Sequence, residues 1–136
     1  TNGCFDLLHC GHAYSLQEAS KFGDHLWVAM NSDASVVKLK GTERPIVPED
    51  QRAYLLNSLS CVSGVTLFEN ERLTHEILAL EPDVYVKASD YTEDSINPEE
   101  KEALLSVNAT LQFVPFLPGS STSSLIKRIQ SLSNKG

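Results

Sequence analysis

Short apolar runs alternate along this chain with longer stretches of helical spacing, and that alternation limits the fold more than any other feature. His25–Asn31, Val62–Phe68, Asp83–Ala88 and Thr110–Val114 are short runs with apolar, β-branched or aromatic residues, and they read as strands. His12–Phe22 places Ala13, Leu16, Ala19 and Phe22 at helical spacing, with Gly23 as a stop. Ser32–Leu39, Pro48–Leu59, Arg72–Leu80, Glu99–Val107 and Ser121–Leu132 read as further helices, with loops over Lys40–Pro48, Asp90–Pro98 and Pro115–Ser120. Strands separated by helices of about ten residues predict an α/β fold: a three-layer, Rossmann-like parallel sheet of about five strands with helices on both faces. Thr1-Asn2-Gly3 reads as the loop after a strand. The first strand is therefore expected upstream of residue 1, and residues 1–136 as a single domain lacking it.

A chain of 136 residues is enough for one compact core without a disulfide or metal staple. The formal charge of -7 makes the chain a poor candidate for non-specific binding to nucleic acid or to an anionic membrane, while leaving room for a local phosphate site. No apolar run reaches membrane-spanning length, and no leader precedes the first motif. The three cysteines are odd in number and form no CxxC pair, which fits a reducing, cytoplasmic location. Trp27 and Phe113 alternate with apolar neighbours and are expected in the core. Cys61 and His75 read as structural or incidental, and His25 as a partly exposed edge residue.

Parallel sheets bind ligands beyond the carboxyl ends of their strands, so the polar segments after the strands are where chemistry is expected. In Asn2-Gly3-Cys4-Phe5-Asp6-Leu7-Leu8-His9-Cys10-Gly11-His12, two histidines three apart flank a glycine at a helix entrance. Unpaired N–H groups and the helix dipole suit that position to phosphate, and Gly11 permits close backbone approach. Imidazoles there can donate to phosphoryl oxygens as charge develops. The spacing equally admits a half-buried His9 and a surface His12. Cys4, His9, Cys10 and His12 could also be zinc ligands, although no second ligand pair follows. Lys38 and Lys40 beside Gly41 offer mobile charges to a polyphosphate, one of them expected to be merely solvated, and Arg44 and Arg52 are further candidates. On spacing alone Arg52 would pair with Glu49. Lys87 ends a strand and is expected to face the ligand crevice; Asp90 follows as a ligand contact or a turn cap. The hydroxyls Ser120–Ser124 open the last helix, where they can cap it and bind phosphate.

Taken in order, TNGCFDLLHCGH, DHLWVAMNSDASVVKLKG, RPI, EDQR, VKASDY, VPF and GSSTSSLI resemble the cytidylyltransferase-like nucleotidylyltransferase superfamily over nearly the full chain. Within it they resemble most the adenylyltransferase domain of ADP-heptose synthase. The resemblance implies transfer of AMP from ATP, with Mg²⁺, to D-glycero-D-manno-heptose 1-phosphate, releasing pyrophosphate and giving ADP-heptose for lipopolysaccharide assembly. It implies His9, His12 and Lys40 as catalytic groups and Asn2, Gly3, Phe5, Gly11, Lys87, Asp90, Ser121, Thr122 and Ser123 as nucleotide-binding. Asp6 and Arg52 would contact substrate, and no metal would be held by a protein cage. It also admits a homodimer and a sugar-kinase domain, fused or separate. The chain departs from the pattern at Ala88-Ser89, where relatives carry two glycines, and at Pro118. Two other readings stay open: a CTP-dependent cytidylyltransferase acting on glycerol 3-phosphate or a phospho-alcohol, and a nucleotide-binding module without catalysis.

Overall fold

The structure, a computed structural model, describes residues 1–88 and 92–136. Ser89, Asp90 and Tyr91, and with them the nucleotide-binding expectation for Asp90, lie outside the described residues. The elements run β1 (Asn2–Gly3), α1 (Cys10–Ser20), β2 (Trp27–Asn31), α2 (Asp33–Lys40), α3 (Glu49–Asn57), β3 (Gly64–Phe68), α4 (Thr74–Leu80), β4 (Val84–Ala88), a 3₁₀ turn at Glu93–Ser95, α5 (Pro98–Ser106), β5 (Thr110–Val114) and α6 (Thr122–Ser133). Every predicted helix and strand is present, and β5 has the predicted bounds.

All pairings are parallel. β2 is flanked by β1 (Gly3 opposite Met30) and β3 (Asn31 opposite Phe68), and β4 pairs with β5 (Ala88 opposite Val114). The expected single sheet is corrected in two respects. The five strands form one ladder of three and another of two. Asn2-Gly3, read as a loop, is itself a strand. The ladders meet through side chains: Thr1 Oγ1 donates to Val86 O at 2.7 Å, and Tyr85 Oη donates to Asn2 Oδ1 at 2.8 Å. β4 therefore borders β1, and the direction of winding reverses there, which opens a crevice between them.

Successive side chains of a strand point to opposite faces, and β2 uses both. Val28 and Met30 join Leu16 and Ala19 of α1 and Leu56 of α3 in one core cluster. Ala29 joins Ile77 of α4 and Ala103 and Leu104 of α5 in the other. β4 divides likewise, Val86 to the first cluster and Tyr85 to the second. Helices thus cover both faces, as a near-continuous apolar strand requires.

Two apolar residues depart from expectation. Phe22 lies beyond the end of α1 and is exposed. Trp27, expected in the core, is 44% exposed. It occupies the first position of β2, and its ring lies over Gly64 on the neighbouring strand, where a Cβ would come within 2.3 Å of it. The glycine gives the ring a shelf, and the other side of the ring meets solvent.

Candidate active site

The segment between β1 and α1 folds around Asp6. Phe5 and Leu7 on either side of it have φ of 51° and 53°, in the left-handed region that costs a non-glycine residue on the order of 1 kcal/mol or more. This geometry turns the Asp6 side chain inward, where it is 1% exposed. Its carboxylate accepts from Ile46 N–H and Val47 N–H, each at 2.9 Å, and from Arg44 Nε at 2.7 Å. Burial alone would raise its pKa, but the two N–H donors and the guanidinium outweigh burial and hold it below the ordinary value. Asp6 therefore fastens the 44–47 loop to the start of the chain.

Phe5 packs where a Cβ on Gly3 would stand, 2.9 Å from its ring, and its edge meets the His12 ring at 5.3 Å between centroids. The His9 and His12 rings stack, with centroids 3.8 Å apart and planes at 23°. His9 is the N-cap of α1: its Nδ1 accepts from Gly11 N–H at 3.0 Å, while its own N–H donates to His12 Nδ1 at 3.3 Å. Both rings thus use Nδ1 as an acceptor, which places the proton of each neutral imidazole on Nε2. Burial, then the neighbouring His9, lowers the His12 pKa to about 4, and burial lowers that of His9. The pair presents two Nε2–H donors without the repulsion of two cations. Gly11 is needed here for packing, since a Cβ would lie 2.9 Å from both the His9 ring and Ser120. Sequence reasoning assigned it only to ligand approach.

Both histidines line a cleft of about 950 Å³ at the carboxyl ends of the strands. Asn2, Gly3, Phe5, Asp6, Gly11 and Lys87 line it as well, as do Lys40 from the end of α2 and Ser121, Thr122 and Ser123 from the start of α6. Ser121 Oγ caps α6 by accepting from Ser124 N–H at 3.1 Å, and Thr122 Oγ1 donates to Asp6 O at 2.9 Å, which ties α6 to the histidine loop. The starts of α1 and α6 both reach this cleft, and neither has an acid in its first turn. In contrast, α2, α3, α4 and α5 all carry acids there. An acid would compete with a bound anion for the helix N–H groups, so the omission at these two helices suits phosphate. This signal was present in the sequence and was missed.

Arg52 is the main correction. It is 1% exposed and does not reach the cleft. Its Nε donates to Val47 O at 2.9 Å, one terminal nitrogen donates to Cys4 O and Asn31 O, and the other meets Asp33 Oδ1 at 2.7 Å. Its partner is thus Asp33 rather than Glu49, and its work is to hold loops together. Arg44, named beside it as a candidate, lines the cleft instead, with Nε on Asp6. Of the two lysines, Lys40 lines the cleft; Lys38 is exposed and is not among its lining residues. The Cys4 thiol is pushed up by burial, against the pull of Lys40, Arg52 and Arg44, and so is a poor nucleophile. Among the described residues no group of three or more His, Cys, Asp or Glu is placed to hold a metal ion.

A family model described as cytidylyltransferase-like matches residues 1–128. The chain belongs to the cytidylyltransferase-like family. Its histidine loop, crevice and acid-free helix starts lie within the matched span. It is 45% identical over 135 residues to the bifunctional protein HldE of Geotalea uraniireducens (strain Rf4), covering 99% of this chain and 27% of that protein. It is 49% identical over 136 residues to HldE of Helicobacter pylori (strain Shi470), covering 98% of this chain and 28% of that protein. The chain thus spans about a quarter of the length of these relatives. A solved structure of a lipopolysaccharide core biosynthesis protein from Thermoplasma volcanium GSS1 is similar, with a TM-score of 0.73 and 25% identity over 85% of this chain and 93% of that one. Among the described residues no helix of this cytidylyltransferase-like chain is long and apolar enough to cross a membrane.

Proposed function

We propose that this chain is the adenylyltransferase unit of a longer protein: it transfers AMP from ATP to D-glycero-D-manno-heptose 1-phosphate and yields ADP-heptose and pyrophosphate. The observation that carries the reading is the stacked histidine pair at the start of one acid-free helix, with a second such helix start on the same cleft. A phosphate oxygen of the acceptor attacks the α-phosphorus, the new O–P bond forms, and the bond from the α-phosphorus to the bridging oxygen breaks as pyrophosphate leaves. The acceptor phosphate is already an anion, so no protein nucleophile is required. Catalysis is then positioning and charge stabilisation. His9 and His12 donate from Nε2 to the α- and β-phosphate oxygens, Lys40 and Arg44 neutralise the triphosphate, and the start of α6 receives the terminal phosphates.

Mg²⁺ would accompany ATP as its phosphate complex. The Asp6 carboxylate is occupied by Ile46, Val47 and Arg44, so the ion would be held by phosphate oxygens and water rather than by side chains. The likeness to HldE supports the heptose acceptor, and the description of those relatives as bifunctional supports a sugar-kinase unit elsewhere in the longer protein.

The test is pyrophosphate release with ATP or CTP, Mg²⁺, and heptose 1-phosphate or glycerol 3-phosphate, with His12→Ala run beside the parent. Release with ATP and the heptose phosphate alone, lost in the variant, is the expected result. Release with CTP and glycerol 3-phosphate keeps the nucleotidyl transfer and removes the heptose acceptor. Tight ATP binding without release from any pair makes the chain a non-catalytic module.

A further inference from the structure

The cleft lining also contains a buried acid with no task in the proposed reaction. Glu100, in the first turn of α5, is 6% exposed and lines the cleft. Its Oε1 accepts from the N–H of Leu73, the N-cap of α4, at 2.8 Å. Its Oε2 lies 4.0 Å from Nζ of Lys87, at the carboxyl end of β4. Both side chains are largely out of solvent, 12% exposed for Lys87 and 8% for Glu100. Lys87 also extends over the Tyr85 ring, 5.3 Å from its centroid, and Tyr85 Oη holds Asn2 on β1. One chain of contacts therefore runs from α4 through α5 and β4 to β1, across the junction between the two ladders.

A first-turn acid on an exposed helix face would serve the helix dipole; Glu100 instead faces inward onto a cation that lines the ligand cleft. At 4.0 Å the contact is coulombic rather than a hydrogen bond. A long side chain that is ordered before binding loses less entropy when the ligand arrives.

We propose that Glu100 is a positioning residue for Lys87, holding its ammonium in the cleft lining so that the nucleotide phosphates meet a cation already in place. This rests on the reading of the cleft as a nucleotide site. Glu100→Gln keeps the acceptor for Leu73 N–H and the side-chain volume but removes the charge. ATP binding to the full chain, titrated with Mg²⁺, is expected to weaken about tenfold in this variant, with little change in melting temperature. In a Lys87→Met background the same substitution is expected to change the Kd less than about twofold, because the two residues act as one unit. An unchanged Kd, or the same loss in both backgrounds, overturns the proposal and makes Glu100 scaffold only. Should Glu100→Gln fail to fold, Glu100→Asp, which keeps the charge but withdraws it by one methylene, is read in the same cycle. Binding is the readout, so a parent chain that binds ATP without releasing pyrophosphate sinks the proposed reaction and leaves this test standing. A parent chain that binds no nucleotide overturns both.

Discussion

On the histidine wall of the cleft, the buried acid Asp6 accepts three hydrogen bonds, the longest 2.9 Å. Elsewhere in the lining, the buried acid Glu100 accepts one at 2.8 Å and lies 4.0 Å from the Lys87 ammonium. The first arrangement fixes geometry. The Asp6 network and the cap bonds of α1 fix two rings, their tautomers and the loop that brings Arg44 to the cleft. The second arrangement sets a carboxylate beside an ammonium in the cleft lining. A reaction that shifts negative charge onto a leaving group needs rigid donors at the reacting phosphorus and cations around it.

The comparison can be broken most severely at His12. His12→Ala removes a donor and the acceptor for His9 N–H, and kcat is expected to fall about 10²–10³-fold while the fold survives, as circular dichroism and pyrophosphate release together would show. Next is Asp6→Asn, which sets an amide NH₂ among three donors and removes a buried charge facing Arg44. A loss of about 3–5 kcal/mol in denaturant unfolding is expected. The parent's own acid response follows from the same group. The folded pKa of Asp6 lies below the ordinary 3.8, so its contribution to stability is full above pH 3.8 and is lost as pH falls through the folded value.

His12 adds an earlier window with the same sign. Its folded pKa of about 4 lies below 6.5, so stability declines as pH falls from 6.5 towards 4. An NMR titration of the ring should find it neutral throughout pH 6–8. A His12 midpoint at or above 6.5 would contradict the neutral stacked pair. A smaller effect separates the lysines: Lys40→Ala should raise the KM for nucleotide about tenfold, while Lys38→Ala, outside the cleft, should stay within about twofold. The smallest belongs to neither arrangement. Gly64→Ala meets the Trp27 ring, which can swing towards solvent, so a cost of about 1 kcal/mol and unchanged nucleotide affinity are expected.

Elements with strong periodicity were legible because one physical term dominates each of them. Thr110–Val114 alternates cleanly between turn residues, and the Gly23 stop, the Asp33 cap region and the first-turn acids of α3 all agree with their neighbours. The histidine loop was legible as a site because its motif sits at a strand-to-helix junction. Direction was not legible. Arg44 and Arg52 are both arginines near a loop; only the inward turn at Asp6 decides that one lines the cleft while the other is enclosed by Cys4, Val47, Asn31 and Asp33. Glu100 was hidden among first-turn acids that serve the helix dipole elsewhere. Trp27 misled because strand alternation predicts which face a residue takes, not whether that face is covered at the end of the strand.

The position of Trp27 has a practical consequence. It is the sole tryptophan of the chain, and it sits at the amino end of β2, whereas the cleft opens beyond Asn31 at the other end. Five residues of strand separate the two by roughly 13 Å of rise. Intrinsic fluorescence of this protein is therefore a gauge of the β2–β3 seam. It should follow unfolding closely and stay nearly silent when nucleotide enters, so folding and ligation can be followed in one sample by two independent signals.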